Sequence, residues 1–156
     1  MAMNKRVSVS AIVLSASTLV AIAVYEGYKS SSYYPIEGDR PTIGFGTTEG
    51  VKPGQTTDPV RALIRLQQDA DAYAKGVKNC VNVPLHQYEF DAYVSFTYNV
   101  GVGAFCRSTL VKKLNAEDYA GACAELDRWV YAGGKVLPGL VKRRADERKL
   151  CEGHYQ

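Results

Sequence analysis

Glu26-Gly27-Tyr28, then Tyr33-Tyr34-Pro35, then Gly38-Asp39-Arg40-Pro41-Thr42-Ile43-Gly44-Phe45-Gly46 is the run on which the reading of this chain turns. It sets one carboxylate at the end of an apolar stretch and a second in a turn rich in glycine and proline. A hydroxyl follows on a strand punctuated by glycines. Two carboxylates held apart on rigid supports suit the cleavage of a glycosidic bond, one donating a proton while the other activates water or stabilises positive charge. A single Glu beside a Gly carries no such meaning.

Working back from Glu26, the 19 residues from Val7 to Tyr25 carry no charge and follow the basic pair Lys5 and Arg6. As a helix they would span about 28 Å, close to the thickness of a bilayer core. The basic flank places the amino terminus in the cytoplasm and the rest of the chain outside. Ser8, Ser10, Ser15, Ser17 and Thr18 make it a polar example of a membrane segment. At about 100° per residue, Val9, Ile12, Val13, Ala16, Leu19, Val20, Ala23 and Val24 share one half of the helix. The five hydroxyls fall on the other half, so the valine half is the expected core-facing side. Three readings stand: a retained anchor that becomes the first helix, a cleaved signal peptide ending at Ala21-Ile22-Ala23, or the buried first helix of a cytosolic protein. Cleavage would leave Glu26 without the helix that orients it.

Working forward, Asp58-Pro59 opens a helix to about Lys78, with an apolar stripe of Val60, Leu63, Ile64, Leu66, Ala70, Tyr73, Ala74 and Val77. Pro84 to Val100 is the expected central core helix, closed by Gly101. Shorter helices are expected over Ser108–Leu114 and Glu117–Tyr131, with Gly133-Gly134 as a break. Pro138 to Cys151 reads as a last helix whose Lys142, Arg143, Arg144, Asp146, Glu147 and Arg148 form a solvated charged face. The order predicts an α+β class, mostly helical, with a small β-hairpin lobe and a helical lobe.

The 156 residues hold one core, and 46% hydrophobic against 22% charged residues marks a globular chain. A net charge of +3 suits an anionic polymer but is too small to argue for nucleic acid. Two histidines and four cysteines without close spacing give no reason to expect a metal site or a cofactor. The cysteines allow two disulfides if the protein is exported, in three pairings. Cys80 with Cys106 and Cys123 with Cys151 is the expected pairing, and buried free thiols are the alternative.

The catalytic run, together with Ser95-Phe96-Thr97-Tyr98-Asn99-Val100-Gly101, Arg128-Trp129 and Pro138-Gly139-Leu140-Val141-Lys142-Arg143-Arg144, resembles the phage-type lysozymes of glycoside hydrolase family 24. The first segment is similar to the signal-arrest-release segments of some phage endolysins. The resemblance implies a lysozyme-like fold and a muramidase that cuts the β-1,4 bond between N-acetylmuramic acid and N-acetylglucosamine in peptidoglycan. It divides the chain into a signal anchor over 1–25 and a catalytic domain over 26–156. The expected location is the host inner membrane and then the periplasm, as a monomer. A lytic transglycosylase, a non-catalytic wall-binding module and a membrane-disrupting protein are the alternatives.

By the same resemblance Glu26 is the general acid, at a helix carboxyl end where desolvation and the helix dipole disfavour its charge. The family places its Asp nine positions after this Glu, where this chain has Pro35, so the second carboxylate is Asp39 or Glu37. Asp39 is preferred because the turn before Thr42 fixes it, although it could serve only to bond its own backbone. Thr42 would position a water, and Asn99 would contact sugar. Either Arg143 or Arg144 is a candidate partner for Glu26, and Trp129 is expected in the core.

Overall fold

The computed structural model describes residues 5–154, which divide into two compact units. One comprises residues 5–18 and 73–154; the other is Leu19–Ala72. Helix α1 (Ala16–Glu26) and helix α2 (Pro59–Cys80) each contain one of the two boundaries.

In the Leu19–Ala72 unit, strand β1 (Lys29–Tyr33) pairs antiparallel with β2 (Thr42–Gly44), Lys29 opposite Gly44 and Tyr33 opposite Thr42, with an irregular register between. The returning chain adds an edge: Ser32 N–H bonds the Gln55 carbonyl at 2.9 Å and Thr57 N–H that of Ser30 at 2.8 Å. Short strands with few large apolar residues hold together here through these backbone bonds and a small core of Ile22, Ile43, Ala62, Leu66 and Ala70. Asp58 caps α2, its Oδ1 accepting Arg61 N–H at 3.0 Å. The buried stripe of α2 runs through Ala62, Leu66, Ala70, Ala74 and Val77, at spacings of four and three, while the expected Val60, Leu63 and Ile64 are exposed.

The other unit is built on α3 (Gln87–Val100), in which Glu89 through Tyr98 are all buried. Its start is fixed by a capping box between His86 and Glu89. Helices α4 (Val102–Cys106), α5 (Thr109–Asn115) and α6 (Tyr119–Glu125) follow, then a 3-10 turn over Leu126–Arg128. Strands β3 (Tyr131–Ala132) and β4 (Lys135–Val136) form a hairpin around Gly133-Gly134, and α7 (Pro138–Cys151) packs along α3. Helix α4 and this hairpin were not expected; Tyr131 belongs to a strand and not to the preceding helix. Ser108 caps α5 as its hydroxyl accepts Val111 N–H. Trp129 meets Phe96 edge-on, 5.2 Å between ring centroids, as a core residue. Cys80 is bonded to Cys106 and Cys123 to Cys151, the expected pairing.

The uncharged first segment departs from its expected form. Only its second half is helical, in α1; Val9–Ala11 is a single 3-10 turn. Among the described residues no helix is long and apolar enough to cross a membrane. Stronger partners claim the first half. Val7 makes two 2.9 Å backbone bonds with Leu85, and Ser15 gives its N–H and hydroxyl to the buried Asp91 at 3.0 and 2.5 Å. Gln87 Nε2 holds the Val13 carbonyl at 2.7 Å. Arg6 grips the buried Glu89 at 2.8 and 3.0 Å and lies over the Tyr119 ring. The facing of α1 is also reversed: Thr18 and Ile22 are buried, whereas Val20 and Val24 are 60% and 76% exposed.

Candidate active site

Glu26 is the last residue of α1, and Gly27 stops the helix by turning left-handed (φ +69°) with its N–H on the Ala23 carbonyl at 3.0 Å. This ending holds the Glu26 side chain, half-buried, at the mouth of the hairpin. Gly46 lies close against it: a Cβ built on that glycine would lie 2.8 Å from Glu26 Oε2. Between β2 and Thr47 the chain makes a tight turn through Gly44, Phe45 and Gly46, closed by paired bonds between Ile43 and Thr47 at 2.9 and 3.0 Å. Thr47 is itself buried and donates to Asp69 Oδ2 at 2.6 Å. Tyr28 packs against Phe45 and donates to the Thr57 carbonyl at 3.2 Å. The turn after β2 is thus tied to α2 and to Tyr28, two residues after Glu26.

Asp39 lies in the exposed turn between β1 and β2. Its N–H bonds the Ile36 carbonyl at 3.1 Å, and its Oδ1 accepts Arg40 N–H at 2.8 Å. The carboxylate therefore shapes its own turn, and Asp39 is exposed, as is Glu37. Thr42 opens β2, buried, with its hydroxyl 3.4 Å from the Arg40 carbonyl. One short hairpin thus carries Asp39 and Thr42, and the turn beyond it touches Glu26.

Asn99 stands in the other unit, exposed near the end of α3. Arg144 donates to its Oδ1. Arg144 is in turn fixed by Glu147, whose Oε2 it meets at 2.6 Å; Oε1 accepts from Arg143 at 3.1 Å and from Ser95 at 2.8 Å. Arg143, Arg144 and Glu147 are 6%, 1% and 2% exposed, so the expected solvated face of α7 is wrong for these three. Burial pushes the Glu147 carboxyl up, against the pull of Arg144 and Arg143. The spacing Arg143-Arg144-x-x-Glu147, with opposite charges three or four positions apart on one helix, was the available signal. It does not distinguish a buried network from a surface one.

A family model described as phage lysozyme matches residues 23–147. An endolysin of Acyrthosiphon pisum secondary endosymbiont phage 1 is 39% identical over 143 residues, 89% of this chain and 97% of that protein. A SAR-endolysin of Bacteriophage PS119 is 37% identical over 127 residues, 81% of this chain and 75% of that protein. An endolysin of Bacillus phage PZA is 40% identical over 139 residues, and there the match spans only 54% of the relative's length. Among solved structures, the muramidase domain of SpmX from Asticaccaulis excentricus superimposes with a TM-score of 0.83 at 30% identity, covering 90% of this chain and 97% of that one. A P22 lysozyme mutant does so with a TM-score of 0.77 at 30% identity, covering 89% and 97%.

Proposed function

Since this chain belongs to the phage lysozyme family, we propose that it is an endolysin: a muramidase that hydrolyses the β-1,4 bond between N-acetylmuramic acid and N-acetylglucosamine in peptidoglycan. The observation that carries this reading is the Glu26 carboxylate at the carboxyl end of α1, set against the backbone of Gly46. In the reaction Glu26 gives its proton to the glycosidic oxygen as the bond from that oxygen to C1 of the muramic acid breaks. Positive charge spreads over C1 and the ring oxygen. Asp39 offsets that charge and takes a proton from the incoming water, which Thr42 helps to position; the water oxygen becomes the new hydroxyl at C1. Asn99, its amide oxygen held by Arg144, contacts the sugar through its N–H donors.

Residues 1–25 act as a signal anchor that holds the enzyme at the host inner membrane, amino terminus in the cytoplasm, before release into the periplasm. Two features support this reading: the uncharged run from Val7 to Tyr25 and the valines that α1 leaves exposed once folded. Collapse of the membrane potential is the expected trigger. The soluble, active protein recovered after an uncoupler is then expected at full mass; a product always lacking its first twenty or so residues identifies a cleaved signal peptide instead.

Product analysis tests the activity itself. Digestion of purified peptidoglycan in oxygen-18 water is expected to label the reducing-end hydroxyl of muramic acid. Unlabelled 1,6-anhydro sugars identify a transglycosylase, and absence of cleavage by the folded protein overturns the enzymatic reading.

A further inference from the structure

We infer that Gly46 is a positioning residue for the proton donor: its missing side chain is the space in which the Glu26 carboxylate rests. This deepens the proposed function, since it rests on Glu26 being the group that protonates the leaving oxygen. Three observations carry it. The ideal Cβ position of Gly46 lies 2.8 Å from Oε2, 3.3 Å from Cδ and 3.4 Å from Cγ of Glu26, so a methyl group there and the present carboxylate exclude one another. Gly46 has φ +84°, a left-handed conformation natural to glycine. The glycine also cannot step aside: Ile43 and Thr47 clamp the turn with two backbone bonds, and the Thr47 hydroxyl anchors the far side to Asp69.

When two groups cannot share a space, the more easily moved one yields. The Glu26 carboxylate ends a flexible side chain, while Gly46 is backbone pinned on both sides. A side chain at 46 therefore swings the carboxylate away and leaves the hairpin in place. Proton transfer needs the donor within hydrogen-bond reach of the oxygen it serves, so a displacement of about 1 Å is costly to turnover. Substrate contacts made elsewhere are untouched.

The backbone conformation supplies its own control. Gly54 has a similar φ of +77° in the same unit, with nothing within 4 Å of its Cβ position. Gly46→Ala and Gly54→Ala therefore impose comparable strain, and only the first meets Glu26. Gly46→Asn and Gly54→Asn repeat the pair with a residue that tolerates the left-handed region, which covers the case in which alanine at 46 fails to fold. The experiment measures melting temperature, kcat and KM on purified peptidoglycan fragments, and the Glu26 carboxyl carbon-13 resonance across pH in each variant. The expected result is similar melting temperatures within each pair. The position-46 variants lose about 100-fold in kcat with KM within about 3-fold of the parent, and the Glu26 resonance moves in them alone. Turnover and a Glu26 resonance in the position-46 variants matching their position-54 partners would overturn the inference. The resonance reads the contact even if the chain cleaves no glycan, so a shifted signal with an inactive parent fails the proposed function and not the placement of Gly46 against Glu26.

Discussion

The carboxylates of the two units live in opposite circumstances. In the helical unit Glu147 and Glu89 are each 2% exposed and each satisfied several times over. Glu147 is held by Arg143, Arg144 and Ser95, and Glu89 by Arg6 and the His86 backbone. In the hairpin unit Glu26 rests half-buried against a glycine, and Asp39 is exposed and bonds its own turn. A buried charge with a full set of partners is committed to the fold, because any change in its state leaves those partners stranded. A carboxylate that serves a reaction must instead be reachable by substrate. On the proposed reading the buried pair serves structure while Glu26 and Asp39 serve chemistry, so substitutions should separate stability from turnover.

The largest expected effect belongs to Glu147. Glu147→Ala leaves two buried guanidiniums without their shared acceptor and is expected to cost roughly 3–5 kcal/mol, or about 10 °C of melting temperature for a domain of this size, read by circular dichroism. A melting curve within a degree or two of the parent would break the structural half of the comparison.

Next comes the second carboxylate. Asp39→Asn is expected to lower peptidoglycan turnover about 100-fold while Glu37→Gln does little and neither moves the melting temperature appreciably. If Glu37→Gln is the crippling change, the catalytic carboxylate sits two residues earlier in the same turn.

Smaller again is Arg6→Ala, which takes the bidentate partner from Glu89 but leaves the His86 N–H. A loss of about 1–3 kcal/mol is expected, together with faster hydrogen exchange at the Val7 and Leu85 amides, which pair with each other's carbonyls. Unchanged exchange there would show that the first residues dock without this ion pair.

The smallest effect concerns pH. The Lys113 ammonium, hydrogen-bonded at 2.7 Å, holds the Glu125 carboxyl below the usual carboxylate range. The folded value lies below the unfolded one, so this contribution is full above the unfolded value and is lost as pH falls through the folded one. Lys113→Ala should flatten the acid limb of the stability profile and cost about 0.5 kcal/mol near neutrality, as suits a partly exposed pair.

Helical periodicity located α2, α3, α5 and α7 to within a few residues, because apolar stripes and glycine, proline or serine boundaries are local signals. The cysteine pairing is the one favoured among three, although cysteine spacing alone does not fix it. The first segment was not legible. Val7 to Tyr25 has one composition throughout, yet its first half pairs with Leu85 and serves Asp91, residues about 75 positions away that no window contains. Arg143, Arg144 and Glu147 were misplaced for a related reason: charge spacing along one helix says nothing about whether Ser95 and Asn99 of another helix stand opposite. The position of Glu26 at the end of its helix was readable from its motif. The contact with Gly46 was not, for it depends on two turns closing on the same space.

Glu26, and no buried carboxylate of the helical unit, is the proposed proton donor. Glu26→Gln keeps size and polarity but removes the titratable group, so kcat on purified peptidoglycan and melting temperature measured on one preparation test the claim directly. The expected result is a fall in kcat of at least about 100-fold with a melting temperature close to the parent's. Near-parental turnover in the folded Glu26→Gln protein would contradict it.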